Sequence, residues 1–381
     1  MPNWKIPLYK IYWDEEDVER VSEVIRQGMF WAIGPNIEKF ESMVAEHVGK
    51  KYAVAFNSGT SALHAILLAY GIKQGDEVIV PSFTFIATAN SVLFVGAKPI
   101  FADIERDTYG LDPEDVKKRI TDRTKVIMPI HYGGSPCQIR ELKEIAEDYK
   151  LLLIEDAAES LGANVDGKPV GSFGDAAMFS FCGNKVITTG EGGMIATDQR
   201  DTYEKLKLIR SHGRLDKGQY FTSIKIMDYI TLGYNWRMSN ITAALGISQL
   251  KKLDKLITMR RKNTAYLSKR LSNVNRVELP NPPNGYFHVY QMYTIKVKNG
   301  EEARNRLKNY LAEKGVMTKV YFFPVHLKGF YRNKFGFQGG ELPITEELSK
   351  QVLTLPMYAS LTTDEMNLIA DHVKEFMENR D

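Results

Sequence analysis

The chain has 381 residues, 44% hydrophobic and 25% charged, with 29 glycines, which is too long for one small core and apolar enough for an extensive buried sheet. Fifty Lys and Arg stand against 47 Asp and Glu, so a net charge of +3 gives no global field toward nucleic acid or a membrane surface, and any anionic ligand must be met by local groups. Cys137 and Cys182 are too few for a disulfide framework or a zinc site, Met1 to Ile6 hold no signal-peptide core, and no apolar run nears the roughly 20 residues that span a bilayer, so a cytoplasmic protein without a metal is expected.

In chain order, apolar positions at helical spacing predict helices over 15–28 and 36–48. Strands and helices then alternate. Tyr52 to Phe56 reads as a strand, followed by a helix from Gly59 to about Tyr70; Glu77 to Val80 is a strand, and Ser82 to Thr88 turns into a helix. Strands are expected over 98–103, 124–129 and 151–155, with helices over 113–120 and 138–149 between them. This rhythm predicts a mostly parallel sheet with helices on both faces. Two further strands, 175–180 and 192–197, lie too close for a helical crossover, so the second runs antiparallel. A long helix is expected from Met238 to about Arg270, then strands over 286–297 and 316–323 and helices over 346–352 and 363–377. The expected division is a large α/β domain over 1–245 and a smaller C-terminal α+β domain over 246–381.

The chemistry centres on Lys185, in a tight loop between a short strand and the turn Gly190-Glu191-Gly192-Gly193. Upstream, Leu151 to Asp156 is a buried-strand run ending in a carboxylate, at the edge where open α/β sheets bind ligands. A lysine able to form an imine, with an acid able to face a pyridine nitrogen, is minimal equipment for pyridoxal 5'-phosphate (PLP). Ser58, Gly59, Thr60 and Ser61 follow a strand and open a helix, where backbone N–H groups and the helix dipole favour an anion, although the same pattern is as often only a cap. Ser180 could add a hydroxyl. Phe83 or Phe85 could lie flat on a ring, Phe83 being the better fit to core packing. Asn235 and Arg237, in an aromatic frame, together with Arg214 and His326, are further polar candidates.

Taken together, these segments resemble the DegT/DnrJ/EryC1/StrS sugar aminotransferases, fold-type I PLP enzymes. The likeness runs through Gly34-Pro35 with Phe40-Glu41, 57–63, 81–85, 154–158, 179–193, 233–238 and 355–358, in that order. It implies a seven-stranded, mostly parallel sheet, with Lys185 as the cofactor-bearing lysine and Asp156 as the partner of the pyridine nitrogen. It also implies Gly59, Thr60 and Ser180 as phosphate ligands and Phe85 as the stacking aromatic. Asn235 would reach the phosphate of the neighbouring subunit's site, making a homodimer with shared active sites. Glu159 stands near the cofactor's phenolic oxygen, where many relatives have Gln or His; Gln291 and Gln351 also depart from frequent choices.

Relatives with histidine in place of the lysine dehydrate sugars, so Lys185 favours transamination. The 182–193 segment looks most like the perosamine-synthase type, which aminates C4 of a nucleotide-linked 4-keto-6-deoxy sugar, with L-glutamate as donor. Arg214, Arg237, Tyr321 and His326 are the candidate substrate contacts. The alternatives are an aminotransferase for a cyclic ketone such as an inosose, or a PLP-bound sensor without turnover. A NAD-binding protein is disfavoured, since no Gly-x-Gly-x-x-Gly follows a first strand.

Overall fold

The computed structural model describes residues 4–215, 224 and 226–378. The extreme ends of the two expected domains, 1–3 and 379–381, therefore lie outside the described residues. Helix α1 (Glu15–Arg26) is capped by Asp14, whose side chain accepts the Glu16 N–H, and α2 (Pro35–Val48) starts on Pro35 and stops at Gly49 in the left-handed region. The alternation that follows runs β1 (Tyr52–Phe56), α3 (Gly59–Ala69), β2 (Glu77–Pro81), α4 (Ile86–Phe94), β3 (Lys98–Ala102), α5 (Pro113–Arg119), β4 (Thr124–Ile127), α6 (Ile139–Asp148) and β5 (Leu152–Asp156). A short ribbon, β6 (Asn164–Val165) and β7 (Lys168–Pro169), precedes β8 (Ala176–Ser180), β9 (Gly193–Thr197) and α7 (Arg200–Arg210).

The seven-stranded sheet has the order β1-β9-β8-β5-β4-β2-β3, and β9 alone runs against the rest. Side chains alternate across it. Val54, Phe56, Val78, Val80, Ile154 and Met178 pack under α3, α4 and α7, whereas Ala53, Ala55, Ile79, Leu153 and Phe179 face α2, α5, α6 and the helix at Asn240. That alternation puts Glu155 and Asp156, neighbours at the end of β5, on opposite faces.

Beyond the sheet come α8 (Asn240–Lys251), α9 (Leu253–Leu271), β10 (Val277–Glu278), β11 (Tyr286–Phe287), β12 (Tyr293–Val297), α10 (Gly300–Glu313), α11 (Gly329–Phe335), α12 (Pro343–Gln351), β13 (Val352–Leu355) and α13 (Thr363–Glu378). Strands β10, β12 and β13 form an antiparallel sheet, while β11 joins the β6–β7 ribbon. Ile295, Leu307, Leu355, Ile369 and Val373 build a core that continues into Phe83, Ile130 and Tyr132, so Phe83 is core packing. Among the described residues no helix is long and apolar enough to cross a membrane.

Several expected elements differ. The long helix breaks at Lys252, whose ammonium is drawn to Asp14 and to Asp17 at 2.8 Å. The strand over 286–297 is interrupted at Tyr290, in the left-handed region (φ 51°) with its N–H donated to His288 Nδ1. Residues 316–323 form no strand, because their backbone partners change from Ile6 to Thr354. Helices α7, α10 and α11 and strand β13 went unpredicted. In α10 the inward position is Arg304, fully buried and donating to the carbonyls of Ser349 and Val352 at 3.0 Å, which masks the apolar stripe.

Gly193 shows how tightly the sheet holds its upper edge. A Cβ there would collide with the Ser58 carbonyl and the Gly59 nitrogen, at the start of α3. Gly193→Ala should therefore cost about 1–3 kcal/mol, read by urea unfolding, because backbone rather than a pliable side chain must move.

Candidate active site

The open edge of the sheet gathers the predicted residues from four elements. At the start of α3, the Ser58 side chain accepts the Ser61 N–H at 3.1 Å, and the Ser61 hydroxyl donates to Asn57 Oδ1 at 2.6 Å. This cap leaves the Gly59 and Thr60 N–H groups without an acceptor among the described residues. Ser180, ending β8, sits against them: a Cβ on Gly59 would lie 3.3 Å from Ser180 Cβ. Gly59, Thr60 and Ser180 are half-buried, as a lined anion pocket requires.

Asp156 is 3% exposed on the α4 side of β5. Its Oδ2 accepts from Thr88 Oγ1 at 2.7 Å, its Oδ1 from the Ala158 N–H at 3.2 Å, and Thr88 in turn meets Thr84 Oγ1 at 2.8 Å. Burial pushes the Asp156 carboxyl up from the ordinary range, opposed by those two donors and by the charge of Lys185. On the opposite face Glu155 is fully buried. It accepts from Gly171, Phe173 and Gly174 N–H groups at 2.7–2.8 Å and pairs with His131 Nε2 at 3.0 Å. The His131 backbone N–H also donates to the Asp156 carbonyl, and Asp156 N–H to Pro129. One histidine thus clasps both strand-end acids.

Lys185 lies in the turn after β8, its N–H bonded to the Cys182 carbonyl. Its Nζ is 3.4 Å from Glu159 Oε1, with the two side chains 14% and 3% exposed, and Glu159 Oε2 accepts the Gly133 N–H at 2.9 Å. Gly133, in the left-handed region, makes that approach possible. Tyr321 is half-buried nearby, its hydroxyl pushed up to about 12 by burial and by the Glu159 charge. Gln291 Nε2 donates to the Asn184 carbonyl at 2.5 Å, bracing the lysine loop.

The remaining candidates are distributed differently. Phe85 is the residue preceding α4, 60% exposed, one turn from Thr88. Arg214 (buried) and Arg237 both reach Ser211 Oγ at 3.2 Å, and Asn235 is exposed and bridged to Ser211; this group adjoins β1 through the Phe56–Arg237 bridge. His326 is fully buried with both ring nitrogens engaged, by Ser82 Oγ at 2.7 Å and Glu346 Oε1 at 3.2 Å, which leaves it no nitrogen for a ligand in this arrangement. Gln351, half-buried, donates its side-chain amide to Glu347 on the outer side of α12. Sequence reasoning passed over Thr84, Thr88, Gly133, His131 and Glu155. The threonines stood in view four apart across the α4 start; the loop donor and the far-face pair left no local signal.

Thr88→Val keeps shape and deletes a donor to a buried carboxylate, so it should destabilise the protein by about 1–3 kcal/mol at neutral pH. Since the folded Asp156 pKa lies above its unfolded value and rises further without Thr88, that loss should shrink as pH falls through the folded value. Urea titrations of both proteins over a descending pH series measure it; a deficit that stays constant down to the acid limit of the folded state would count against the assignment.

The chain matches the model of the DegT/DnrJ/EryC1/StrS aminotransferase family over residues 12–374. It is 36% identical over 375 residues to GDP-perosamine synthase of Escherichia coli O157:H7, covering 98% of this chain and 99% of that one. Among solved structures it superposes on DesI, determined in the presence of its TDP-sugar product, with TM-score 0.88 at 30% identity, over 100% and 94% of the two chains. It also matches the PLP form of Spr1654 from Streptococcus pneumoniae with TM-score 0.92 at 26% identity, over 98% of each. With the sheet order, the lysine loop and the buried strand-end acid all in place, the chain belongs to the DegT/DnrJ/EryC1/StrS aminotransferase family.

Proposed function

We propose that this protein transfers the amino group of L-glutamate to a nucleotide-linked 4-keto-6-deoxy sugar, in the manner of a perosamine synthase, with PLP as the carrier. The observation that carries the reading is Asp156: a carboxylate buried at the ligand edge, held by Thr88 and Ala158 but, among the described residues, without a cation in hydrogen-bond contact. A protonated pyridine nitrogen is the partner that such an acid lacks, and the open N–H groups of α3 suit the phosphate at the other end of the same ligand. The residues fit the group.

When bound, PLP supplies an electron-withdrawing ring through which an amine is exchanged between a donor and a ketone. The chain's own residues do the rest. Asp156 holds a proton on the ring nitrogen, and Thr88 keeps that carboxylate aimed. Gly59, Thr60 and Ser180 would hold the phosphate, and Phe85 would supply an aromatic surface for the ring. Lys185 Nζ would anchor the carrier and, once displaced by the donor's amine, would be free to take the proton from the donor's α-carbon and later to deliver one to the sugar carbon. Glu159, fixed by the Gly133 N–H, keeps the lysine within reach of that carbon. In this proposal Asn235 serves the site of a second copy in a cytoplasmic homodimer, and Tyr321, Arg237 and Arg214 belong to the substrate side. The proposal keeps the division at 245/246, which falls within α8, with the PLP site built on the N-terminal part. GDP-perosamine synthase and DesI, by their names, support a nucleotide sugar as acceptor.

Lys185→Ala should abolish the visible absorbance of the bound cofactor and lower turnover by at least about 10²–10⁴-fold; unchanged turnover would refute its role. Asp156→Asn should cost about 10–100-fold in turnover while the protein stays folded by circular dichroism. A panel of nucleotide 4-keto sugars and free cyclic ketones with glutamate tests the acceptor. The proposal expects product only from the nucleotide-linked compounds, and amination of a free cyclic ketone alone would overturn it.

A further inference from the structure

Gln291 is a polar residue beside Lys185 that the proposed transfer leaves without a task. It is 6% exposed. Its Nε2 points at the Asn184 carbonyl, and only the amide nitrogen can donate there, which turns Oε1 the other way. That oxygen is buried, and no protein group among the described residues donates to it. The side chain borders a cavity of about 20 Å³ shared with Tyr9, Asn184, Tyr321 and Met292. Such a space admits one hydroxyl or one water.

The side chain has little freedom to find a different donor. Its neighbours are tied down, with the Val289 N–H donating to the Gly134 carbonyl and the Met292 N–H to the Gly133 carbonyl at 2.9 Å. Gly134 is so closely packed that a Cβ would lie 2.8 Å from the Gln291 nitrogen. The same segment therefore braces the loop that supplies the N–H donor to Glu159 and the loop that carries Lys185. A buried acceptor held rigidly without a donor is costly, and native chains keep few of them.

We infer that Gln291 Oε1 accepts a hydrogen bond from a ring hydroxyl of the acceptor sugar and is a specificity residue of this site; the inference rests on the reading of the site as a keto-sugar aminotransferase. An amide oxygen accepts only, so the group it selects must carry a proton. It therefore reads a hydroxyl and rejects the carbonyl that is to be aminated, which orients the ring. Because Asn184 immediately precedes Lys185, the hydroxyl selected is one near the reacting carbon.

The test uses the PLP-loaded protein without an amino donor, so that a keto sugar can be titrated in without turnover. Calorimetry compares the parent nucleotide keto sugar with analogues each lacking one ring hydroxyl, in the wild type and in Gln291→Met, which keeps length and apolar bulk but no amide. One deoxy analogue should bind the wild type roughly tenfold or more weakly than the parent, and that ratio should collapse toward one in Gln291→Met. A ratio that survives in the variant overturns the inference. So does a wild type that discriminates against no deoxy analogue, the result expected if water alone serves Oε1. Should Gln291→Met melt early, the wild-type series alone decides, with Gln291→Leu as the second variant. A wild type that aminates no keto sugar with glutamate present would instead sink the function proposed above.

Discussion

The site rests on the end of β5, where two adjacent carboxylates are buried on opposite faces of the sheet. Glu155 is locked from behind by three backbone N–H groups and His131, and that lock fixes the strand end from which Asp156 points forward. A buried charge is tolerated only when it is surrounded by donors or neutralised. Glu155 has its donors within the protein. Asp156 has two, Thr88 and Ala158, and its carboxyl is held above the ordinary range by burial. The contrast distinguishes an acid fully engaged by the protein from one that, in the proposed function, would meet a cationic partner.

Around this point the chain assembles complementary polarity. The first turn of α3 offers N–H groups to an anion, and the Lys185–Glu159 pair sits beside Asp156 with little solvent access. The C-terminal part contributes to the same geometry, since the 289–292 segment is bonded both to the Gly133–Gly134 loop and to the turn before Lys185. The core in which Phe83 and Tyr132 join Ile295 and Leu355 packs the C-terminal part directly against the large sheet. The C-terminal segment thereby reaches the Lys185 turn through Gln291 and the Glu159-holding loop through Val289 and Met292.

Much of this was legible in the sequence. The strand–helix alternation through Thr197 produced the sheet almost residue by residue, because buried strands read as apolar runs and the connections are short. The reversed strand at 193–197 followed from loop length alone. Asp156 and Ser180 were read at strand ends, and Gly59 and Lys185 in the turns that follow strands, which set all four toward one edge. What escaped was non-local. The stripe of α10 was hidden by a buried arginine that donates to the carbonyls of residues 349 and 352. The role of Gly133 depends on a backbone N–H, which no side chain advertises. His326 looked available in the sequence and proves to be held by Ser82 and Glu346, two residues far apart in the chain.

The central claim is that this sheet edge carries an amine on PLP by way of Lys185 and a proton-holding Asp156. The most direct measurement is the absorbance of the PLP-loaded protein on mixing with L-glutamate alone, followed together with the 2-oxoglutarate released. The account predicts loss of the visible band and one equivalent of 2-oxoglutarate per site, with the band restored by excess 2-oxoglutarate. A spectrum that stays unchanged, with no keto acid formed, would contradict it.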